Sequence, residues 1–121
     1  MIGRSNRFHG HGSLRYVYTH GSVVRGPMLS LKYSLNPRRD SYRLAIVISK
    51  KVMKSAVKRN RTRRRLYETV RLLGPSMAEA YDLVITVFND QILDVPAAEL
   101  TKMVKAQFKQ AQVLSPNGQK P

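Results

Sequence analysis

A strand with one buried face is the first element that the hydrophobic pattern predicts. Leu29, Leu31 and Tyr33 alternate with polar residues, which is typical of such a strand. We predict that the strand extends over 23–33 and is interrupted by a Gly-Pro pair. One further short piece near 22–27 would then complete the sheet.

Two longer apolar runs predict strands that are buried on both faces. The segment Tyr42–Ser49 contains the uninterrupted run LAIVI, and residues 81–88 read YDLVITVF. Strands without polar alternation are typical of sheets that are covered on both sides. We therefore expect Tyr42–Ser49 to occupy a central position in the sheet.

Apolar residues at helical spacing predict three helices. Ser13 is the expected cap of the first helix, which is short and amphipathic. The second helix extends over 55–73, where a Gly-Pro pair ends it. The third opens at Pro96, with Asp94 or Val95 as its cap.

The order of these elements predicts one α/β (α+β) domain. A two-layer sandwich, with a mixed sheet of about four strands backed by helices, is the natural packing. At 121 residues the chain has room for one well-buried core. We assign 13–114 to this domain, 1–12 to a flexible basic arm and 115–121 to a disordered tail.

Positive charge is concentrated in one stretch, Lys50–Arg71. This stretch holds ten of the chain's 22 Lys and Arg, with Glu68 as its only acid, so it carries +9 of the formal +15. Residues 72–121 carry −1 and are interpreted as scaffold. A domain this basic repels itself unless a polyanion neutralises it, so nucleic acid is the leading partner class and an anionic membrane surface the next.

Several kinds of chemistry lack the residues that they need. Cys is absent, which excludes disulfides, thiolate nucleophiles and cysteine-based zinc sites. The seven acids are scattered, and neither a G-x-S-x-G elbow nor a GxxxxGK loop occurs. His9, His11 and His20 are interpreted as solvated, because no carboxylate or Cys lies near them in sequence to complete a metal site. We therefore expect no catalytic residue in the protein and no small-molecule substrate.

Targeting signals are also absent from the sequence pattern. No apolar run approaches the roughly 20 residues of a membrane span, and the N-terminal residues do not form a secretory signal. We expect a cytoplasmic protein that does not associate with membranes.

The predicted basic helix divides into faces at about 100° per residue. Leu66, Val70 and Leu73 form an apolar edge that suits docking on the sheet. Cations follow two further lines: Lys54, Lys58, Arg61 and Arg65 form one, and Arg64 and Arg71 join Asn60 on the other. RNA or DNA binding is the favoured interpretation, while a solvated helix, a membrane-surface helix and a nuclear-localisation run remain alternatives.

Asn60 is an uncharged amide between two arginines. It suggests a specific hydrogen bond, either to the protein backbone or to RNA. An asparagine that is merely tolerated near the start of a helix explains the pattern equally well.

The segment 48–71 resembles the signature of the bacterial ribonuclease P protein family. A Lys-Lys pair, a Ser-Ala pair and an Arg-Asn-Arg triplet carry the resemblance. In this chain they are Lys50-Lys51, Ser55-Ala56 and Arg59-Asn60-Arg61, followed by Arg63-Arg64, Glu68 and Arg71. Matches at Ser13-Leu14, Tyr18–Gly21 and Tyr81–Ile85 extend the resemblance over about 6–112. Tyr67, Val70 and Leu14 depart from the family's pattern.

The resemblance implies both a fold and an activity. The implied fold is an α/β sandwich with four strands, in which the Arg-Asn-Arg helix joins parallel strands through a left-handed crossover, against the usual handedness. The implied activity is that of an accessory protein subunit of an endoribonuclease that removes the 5′ leader of precursor tRNA. In this family the catalytic RNA subunit and its Mg²⁺ ions perform the cleavage.

The resemblance also implies which residues contact the catalytic RNA. They are Lys50, Lys51, Lys54, Lys58, Arg59, Asn60, Arg61, Arg63, Arg64 and Arg71, and the first basic line adds Arg65. The resemblance is also compatible with an RNA-associated metal ion near Asn60, while the protein alone is expected to bind no metal.

A separate cleft, formed in the family by the first helix and a face of the sheet, receives the single-stranded leader. Flat aromatic side chains suit unpaired bases. The candidates are Tyr18 and Tyr33, followed by Leu14, Tyr16 and Leu31. An amphipathic helix and a strand need the same residues for core packing, so both roles remain open for them.

A second function stays open beside the ribonuclease subunit. A structural basic RNA-binding protein, ribosomal or chaperone-like, would share the fold and take no part in cleavage. Stimulation of leader removal by the purified chain distinguishes the two.

Overall fold

Three helices and a mixed sheet of four strands make up the described part of the chain. The computed structural model describes residues 11–39 and 41–114, with side chains from Tyr16 onward. The elements are α1 (His11–His20), β1 (Ser22–Arg25), β2 (Leu29–Leu35), β3 (Arg43–Ile48), α2 (Ala56–Leu73), β4 (Tyr81–Val87) and α3 (Ala97–Ala111). Short 3-10 turns occupy Gly74–Ser76 and Asp90–Asp94. The tail predicted over 115–121 and most of the arm predicted over 1–12 lie outside the described residues.

The sheet has the strand order β1-β2-β4-β3. Its β1–β2 and β2–β4 pairs are antiparallel, whereas β3 and β4 are parallel and joined through α2. The predicted mixed α+β sheet is therefore confirmed, and the left-handed sense of the crossover stays a prediction.

The predicted central position of β3 is wrong, because β3 is an edge strand and β4 lies inside the sheet. Leu44, Ile46 and Ile48 belong to the core shared with α2 and α3, while Ala45 packs with Val17 of α1 on the other face. Helices on both sides therefore bury β3 although only one of its edges is paired. Burial on both faces, which the apolar run correctly indicated, does not distinguish an edge from a centre.

The main core lies between the sheet and the pair α2 and α3. The predicted docking edge of the basic helix is confirmed, since Leu66, Val70 and Leu73 are buried there with Phe108 of α3. A smaller cluster on the opposite face fixes α1 through Val17, which is fully buried. The two faces of the sheet thus carry different helices, with the basic helix on one and α1 on the other.

The observed ends of α2 agree with the prediction from the sequence, whereas the N-terminal caps of α1 and α3 differ from it. Ser55 caps α2, and its Oγ accepts a hydrogen bond from the Lys58 backbone N at 3.3 Å. The helix α1 begins at His11, so the predicted cap at Ser13 is wrong and Ser13 lies within the first turn. The N-cap of α3 is Pro96 rather than Asp94 or Val95, because the 3-10 turn already uses those residues.

A partly buried ion pair holds the start of β3 to β4. The Arg43 guanidinium donates to both carboxylate oxygens of Asp82, at 2.8 Å each, and Asn36 Nδ2 donates to the same carboxylate at 3.0 Å. The hydrogen bonds with Asp82 raise the pKa of the Arg43 guanidinium above its ordinary value. The ion pair therefore fastens the turn after β2 to the edge of the sheet.

Candidate nucleic-acid interface

The junction between β3 and α2 is organised by Arg59. One guanidinium nitrogen of Arg59 donates to the carbonyl oxygens of Met53, at 2.8 Å, and Lys54, at 2.9 Å. Both carbonyls belong to the loop that precedes the helix. Arg59, predicted as an RNA contact, therefore holds the loop that presents its neighbouring lysines.

Six cations around this junction point into solvent. They are Lys50, Lys51, Lys54, Lys58, Arg61 and Arg64, which we call the basic surface. None of these side chains makes a hydrogen bond or an ion pair with another described residue. The N-terminus of α2 adds a partial positive charge at the same place, so the surface suits phosphate oxygens.

A cleft of about 910 Å³ opens beside the basic surface. Lys51, Lys58 and Arg61 line it together with two acids, Asp90 and Asp94, from the 3-10 turn. The carboxylates repel phosphate where the cations attract it. The cleft therefore favours a phosphate on the α2 side and disfavours one on the side of the 3-10 turn.

Arg65 connects α2 to the segment that precedes α3. Its guanidinium donates to the carbonyl oxygens of Ile92, at 3.0 Å, Leu93, at 3.1 Å, and Val95. These contacts contradict the predicted phosphate contact, because the guanidinium is directed into the protein. Helical spacing places Arg65 in line with Lys58 and Arg61, but cannot show that backbone carbonyls lie beside it.

Three further predicted contacts are paired with neighbours on the helix. Arg63 donates to Asn60 Oδ1 at 3.2 Å, so the Asn60 amide has a partner within the protein. Arg71 donates to both carboxylate oxygens of Glu68. These hydrogen bonds lower the pKa of Glu68 to about 2, so the carboxylate is ionised at neutral pH and offsets the charge of Arg71.

On the opposite face of the sheet, Tyr18 lies beside Lys32. The Lys32 ammonium lies 4.8 Å from the centroid of the Tyr18 ring and donates to the Tyr18 carbonyl oxygen at 3.2 Å. Tyr18 remains 42% exposed, so part of the ring is available to a ligand. Sequence reasoning missed Lys32, although its alternation with Leu31 and Tyr33 already assigned it to the face opposite theirs.

The structure does not bring the other leader candidates together with Tyr18. Leu31 is fully buried in the core shared with α2 and α3, and Tyr33 packs against that core, edge-to-face with Tyr81. A shared cleft of Leu31, Tyr33 and Tyr18 is therefore contradicted, because odd-numbered residues of β2 face away from α1.

Tyr16 lies on a different side of α1 from Tyr18. Tyr16 stacks on His20 with ring centroids 4.4 Å apart and lines a different cavity, of about 380 Å³, with Arg38. Residues two apart on a helix point to opposite sides, so Tyr16 and Tyr18 do not line one cleft. The side chain of Leu14 lies outside the described residues.

The described side chains do not form a cradle for a metal ion. Among residues 16–39 and 41–114, no three or more His, Asp or Glu side chains come together. Near Asn60 the neighbours are arginines, and the amide oxygen already accepts from Arg63. Carboxylate and water oxygens are what Mg²⁺ requires, so a protein-held Mg²⁺ does not fit there. No described helix is both long and apolar enough to cross a membrane.

These features define a class of protein. A basic helix start on one face of a mixed sheet suits a phosphate backbone, and an exposed tyrosine with a lysine on the other face suits unpaired bases. A mixed sheet with such a basic helix start is characteristic of an RNA-binding α+β protein.

Comparison with known proteins identifies the family. The Ribonuclease P family model matches residues 2–112, and the chain belongs to that family. The ribonuclease P protein component of Chloroflexus aurantiacus is 35% identical over 111 residues, which cover 92% of this chain and 81% of the relative. That of Chloroflexus aggregans is 32% identical over 112 residues, covering 93% and 82%.

Solved structures share the fold. A Staphylococcus aureus RNase P protein mutant with defective mRNA degradation activity superposes with a TM-score of 0.82 at 22% identity, covering 92% of both chains. The Thermotoga maritima RNase P protein, in complex with 1-(4-fluorophenyl)-2-thiourea, gives 0.73 at 18% identity, covering 81% of this chain and 92% of that one. At these identities the likeness shows the fold alone.

Family membership confirms the predicted activity class. The chain is an accessory protein component of ribonuclease P, an RNA-dependent enzyme of tRNA processing. Nothing in the comparisons favours the alternative of a structural RNA-binding protein.

Proposed function

We propose that the chain binds the catalytic RNA of ribonuclease P through the basic surface and thereby assists removal of the 5′ leader from precursor tRNA. The observation that carries this proposal is the set of six exposed cations without a partner among the described residues. Cations at a helix N-terminus that form no ion pair with a carboxylate gain most from phosphates.

The residues proposed to contact the catalytic RNA fall into two groups, a central group without partners among the described residues and a peripheral group that is already paired. The central group is the basic surface, which consists of Lys50, Lys51, Lys54, Lys58, Arg61 and Arg64. The peripheral group is Asn60, Arg63 and Arg71. The family resemblance also implies these residues, but each already has a partner on the helix. Arg59 and Arg65 act by positioning, the first on the loop before α2 and the second on the segment before α3.

The single-stranded leader binds on the α1 side of the sheet, around Tyr18. An unpaired base stacks on the exposed part of the Tyr18 ring, and Lys32 neutralises a neighbouring phosphate. Leu14 is assigned to this surface only because of the family resemblance. Leu31, Tyr33 and Tyr16 are left out, because the first two face the opposite side and the third lines another cavity.

In this proposal Mg²⁺ is bound by the RNA and not by the protein alone. The described residues do not fit a protein-held Mg²⁺, so the ions that serve cleavage are held by the catalytic RNA. The protein's own part is to neutralise phosphates where two RNA molecules meet. We further propose that the chain works in the cytoplasm with precursor tRNA as its substrate partner.

Reconstitution tests the proposed activity. The purified chain is added to its cognate catalytic RNA at low Mg²⁺, and leader removal from precursor tRNA is measured. We expect an increase in the rate, because protein cations replace part of the counterions that RNA association requires. A folded chain that binds the RNA without changing the rate would overturn the proposal in favour of a purely structural role.

The leader surface has its own test. Tyr18→Ala is expected to weaken binding of precursor tRNA to the reconstituted enzyme while binding of mature tRNA is unchanged. Equal losses for both RNAs would mean that Tyr18 only packs α1 on the sheet.

A further inference from the structure

Phe88 is an exposed aromatic residue that lies outside the basic surface. It follows β4 directly and is 47% exposed, whereas the preceding Val87 is buried. Its backbone N donates to the Met28 carbonyl oxygen at 3.0 Å, which continues the pairing of the sheet past the end of the strand. Because side chains alternate along extended backbone, Phe88 lies on the same face as Val84 and Thr86, which is the face that carries α1.

Between α1 and Phe88 this face of the sheet is open. Ala45 and Val84 beneath α1 are buried, but the next row, formed by Ser30, Thr86 and Val47, is only half-buried. Its side chains are small, so they form a shallow floor. Phe88 is four residues beyond Val84, which is about 13 Å along an extended strand. The floor therefore runs from Tyr18 at one end to Phe88 at the other.

The charges around this floor favour an anionic polymer. Arg25 is exposed beside Ser30, with which it pairs across β1 and β2. Lys50 lies two residues past Ile48, whose partner is Val87, so the basic surface begins next to Phe88. Asp82, the one acid in the described strands, is buried in its ion pair with Arg43. A single-stranded RNA is the occupant that suits this combination of cations and a flat exposed ring.

We propose that Phe88 is a second stacking platform for an unpaired base of the leader, and that the strand crosses the open face from Tyr18 to Phe88 beside the basic surface. This inference rests on the proposed function and deepens it. The Phe88 ring has no hydrogen-bonding group, so it selects for stacking and not for the edge of a particular base.

Leaders shortened one nucleotide at a time from the 5′ end provide the test. Binding of each precursor tRNA, and of mature tRNA, to the reconstituted enzyme is measured for the wild-type chain and for Phe88→Ala. We expect affinity to fall roughly 5-fold or more for the longer leaders, as for loss of one base–aromatic stack. Leaders too short to reach Phe88, and mature tRNA, should bind as they do to the wild type.

Matched variants separate stacking from apolar packing. Phe88→Tyr and Phe88→Trp keep a flat ring and should retain wild-type affinity, whereas Phe88→Leu keeps apolar area and should lose affinity like Phe88→Ala. Leu35→Ala removes an equally exposed apolar side chain at the other end of the sheet, where Leu35 pairs with Tyr81, and should change nothing. Circular dichroism and thermal unfolding establish that each variant is folded.

The outcomes distinguish this inference from the proposed function. If the wild-type enzyme prefers leader-bearing RNA and Phe88→Ala keeps that preference at every length, Phe88 is not a platform and the leader surface stands. Equal losses for precursor and mature tRNA would also overturn the role of Phe88. If the wild type shows no preference for any leader, the proposed leader surface itself fails.

Discussion

Arg61 and Arg65 lie one helical turn apart on α2 and carry the same charge, yet their surroundings differ. Arg61 is exposed and has no partner among the described residues, while Arg65 donates to three backbone carbonyls before α3. A guanidinium that satisfies buried carbonyls contributes to stability, and a solvated one contributes to phosphate binding. Sequence spacing alone treats the two residues as equivalent.

We therefore expect opposite results for their alanine variants. Arg65→Ala should lower the free energy of unfolding by about 2 kcal/mol, because hydrogen bonds from a charged donor are lost, and leave the salt dependence of RNA binding unchanged. Arg61→Ala should change stability by less than about 0.5 kcal/mol and reduce the salt slope by about one unit. Urea unfolding and RNA binding at several salt concentrations measure both. A reduced slope for Arg65→Ala with intact stability would contradict this assignment.

Glu68 limits how strongly Arg71 can act on RNA. Its pKa is lowered to about 2 from 4.5 by Arg71, so the ion pair forms fully above pH 4.5 and is lost only as the pH falls toward 2. At neutral pH, Glu68→Gln should therefore release Arg71, raise affinity for the catalytic RNA and steepen the salt slope by about one unit. Glu99→Gln, an exposed acid on α3, is the control. An unchanged slope in both variants would place Arg71 outside the interface.

At the scale of elements, the sequence predicted β3, β4 and the basic helix well because their patterns are local, whereas the strand predicted over 23–33 is two strands, β1 and β2. The apolar runs and the docking edge of α2 follow from spacing within one segment. Strand order depends on which segments meet, and β3 at the edge is buried like a central strand because helices cover both faces. The residue pattern of β3 alone therefore does not show whether the strand lies at the edge or in the centre of the sheet.

The same limit explains the errors in the candidate site. The alternation along β2 correctly divided its residues into two faces, but only the tertiary structure shows that α1 covers the face of Lys32 and not that of Leu31. Arg59 was likewise assigned by its type, and its carbonyl partners Met53 and Lys54 appear only when the loop is folded. Residue types predicted the class of ligand, and packing decided which residues remain available to it.

The ion pair at the start of β3 yields a prediction about the sheet edge. Asp82→Ala removes the carboxylate that the partly buried Arg43 guanidinium contacts, so we expect the free energy of unfolding to fall by about 2 kcal/mol, as for lost hydrogen bonds of a charged group. Replacing both residues with apolar ones, as in Arg43→Met with Asp82→Leu, should recover most of that loss. Denaturant unfolding measures both variants. Similar stability for Asp82→Ala and the wild type would show that the pair contributes little.

At the scale of the whole molecule, the two proposed surfaces lie on opposite faces of the sheet. The basic surface surrounds the start of α2, and the proposed leader surface lies beside α1. The strands separate the two except at the end of β4, where Phe88 lies next to Lys50. Five of the seven acids lie after residue 71, and two of these, Asp90 and Asp94, line the cleft beside the basic surface. A chain built this way can contact two RNA molecules at once, because neither surface has to move for the other to be occupied.

This separation predicts that the two surfaces contribute independently. In a cycle of Arg61→Ala and Tyr18→Ala, affinity of the chain for catalytic RNA loaded with precursor or mature tRNA is measured. Arg61→Ala should weaken both complexes, because it removes a contact with the catalytic RNA. Tyr18→Ala should weaken only the precursor complex, because it removes a contact with the leader.

For the double variant with precursor tRNA, the two losses should add within about 0.5 kcal/mol, as they do for distant sites without shared partners. Residues in one contact network typically couple by more than that. A coupling well above 0.5 kcal/mol would therefore mean that the leader and the catalytic RNA meet one continuous surface around the end of the sheet. Repeating the cycle with Phe88→Ala in place of Tyr18→Ala would locate that continuity, because Phe88 is the leader position nearest the basic surface.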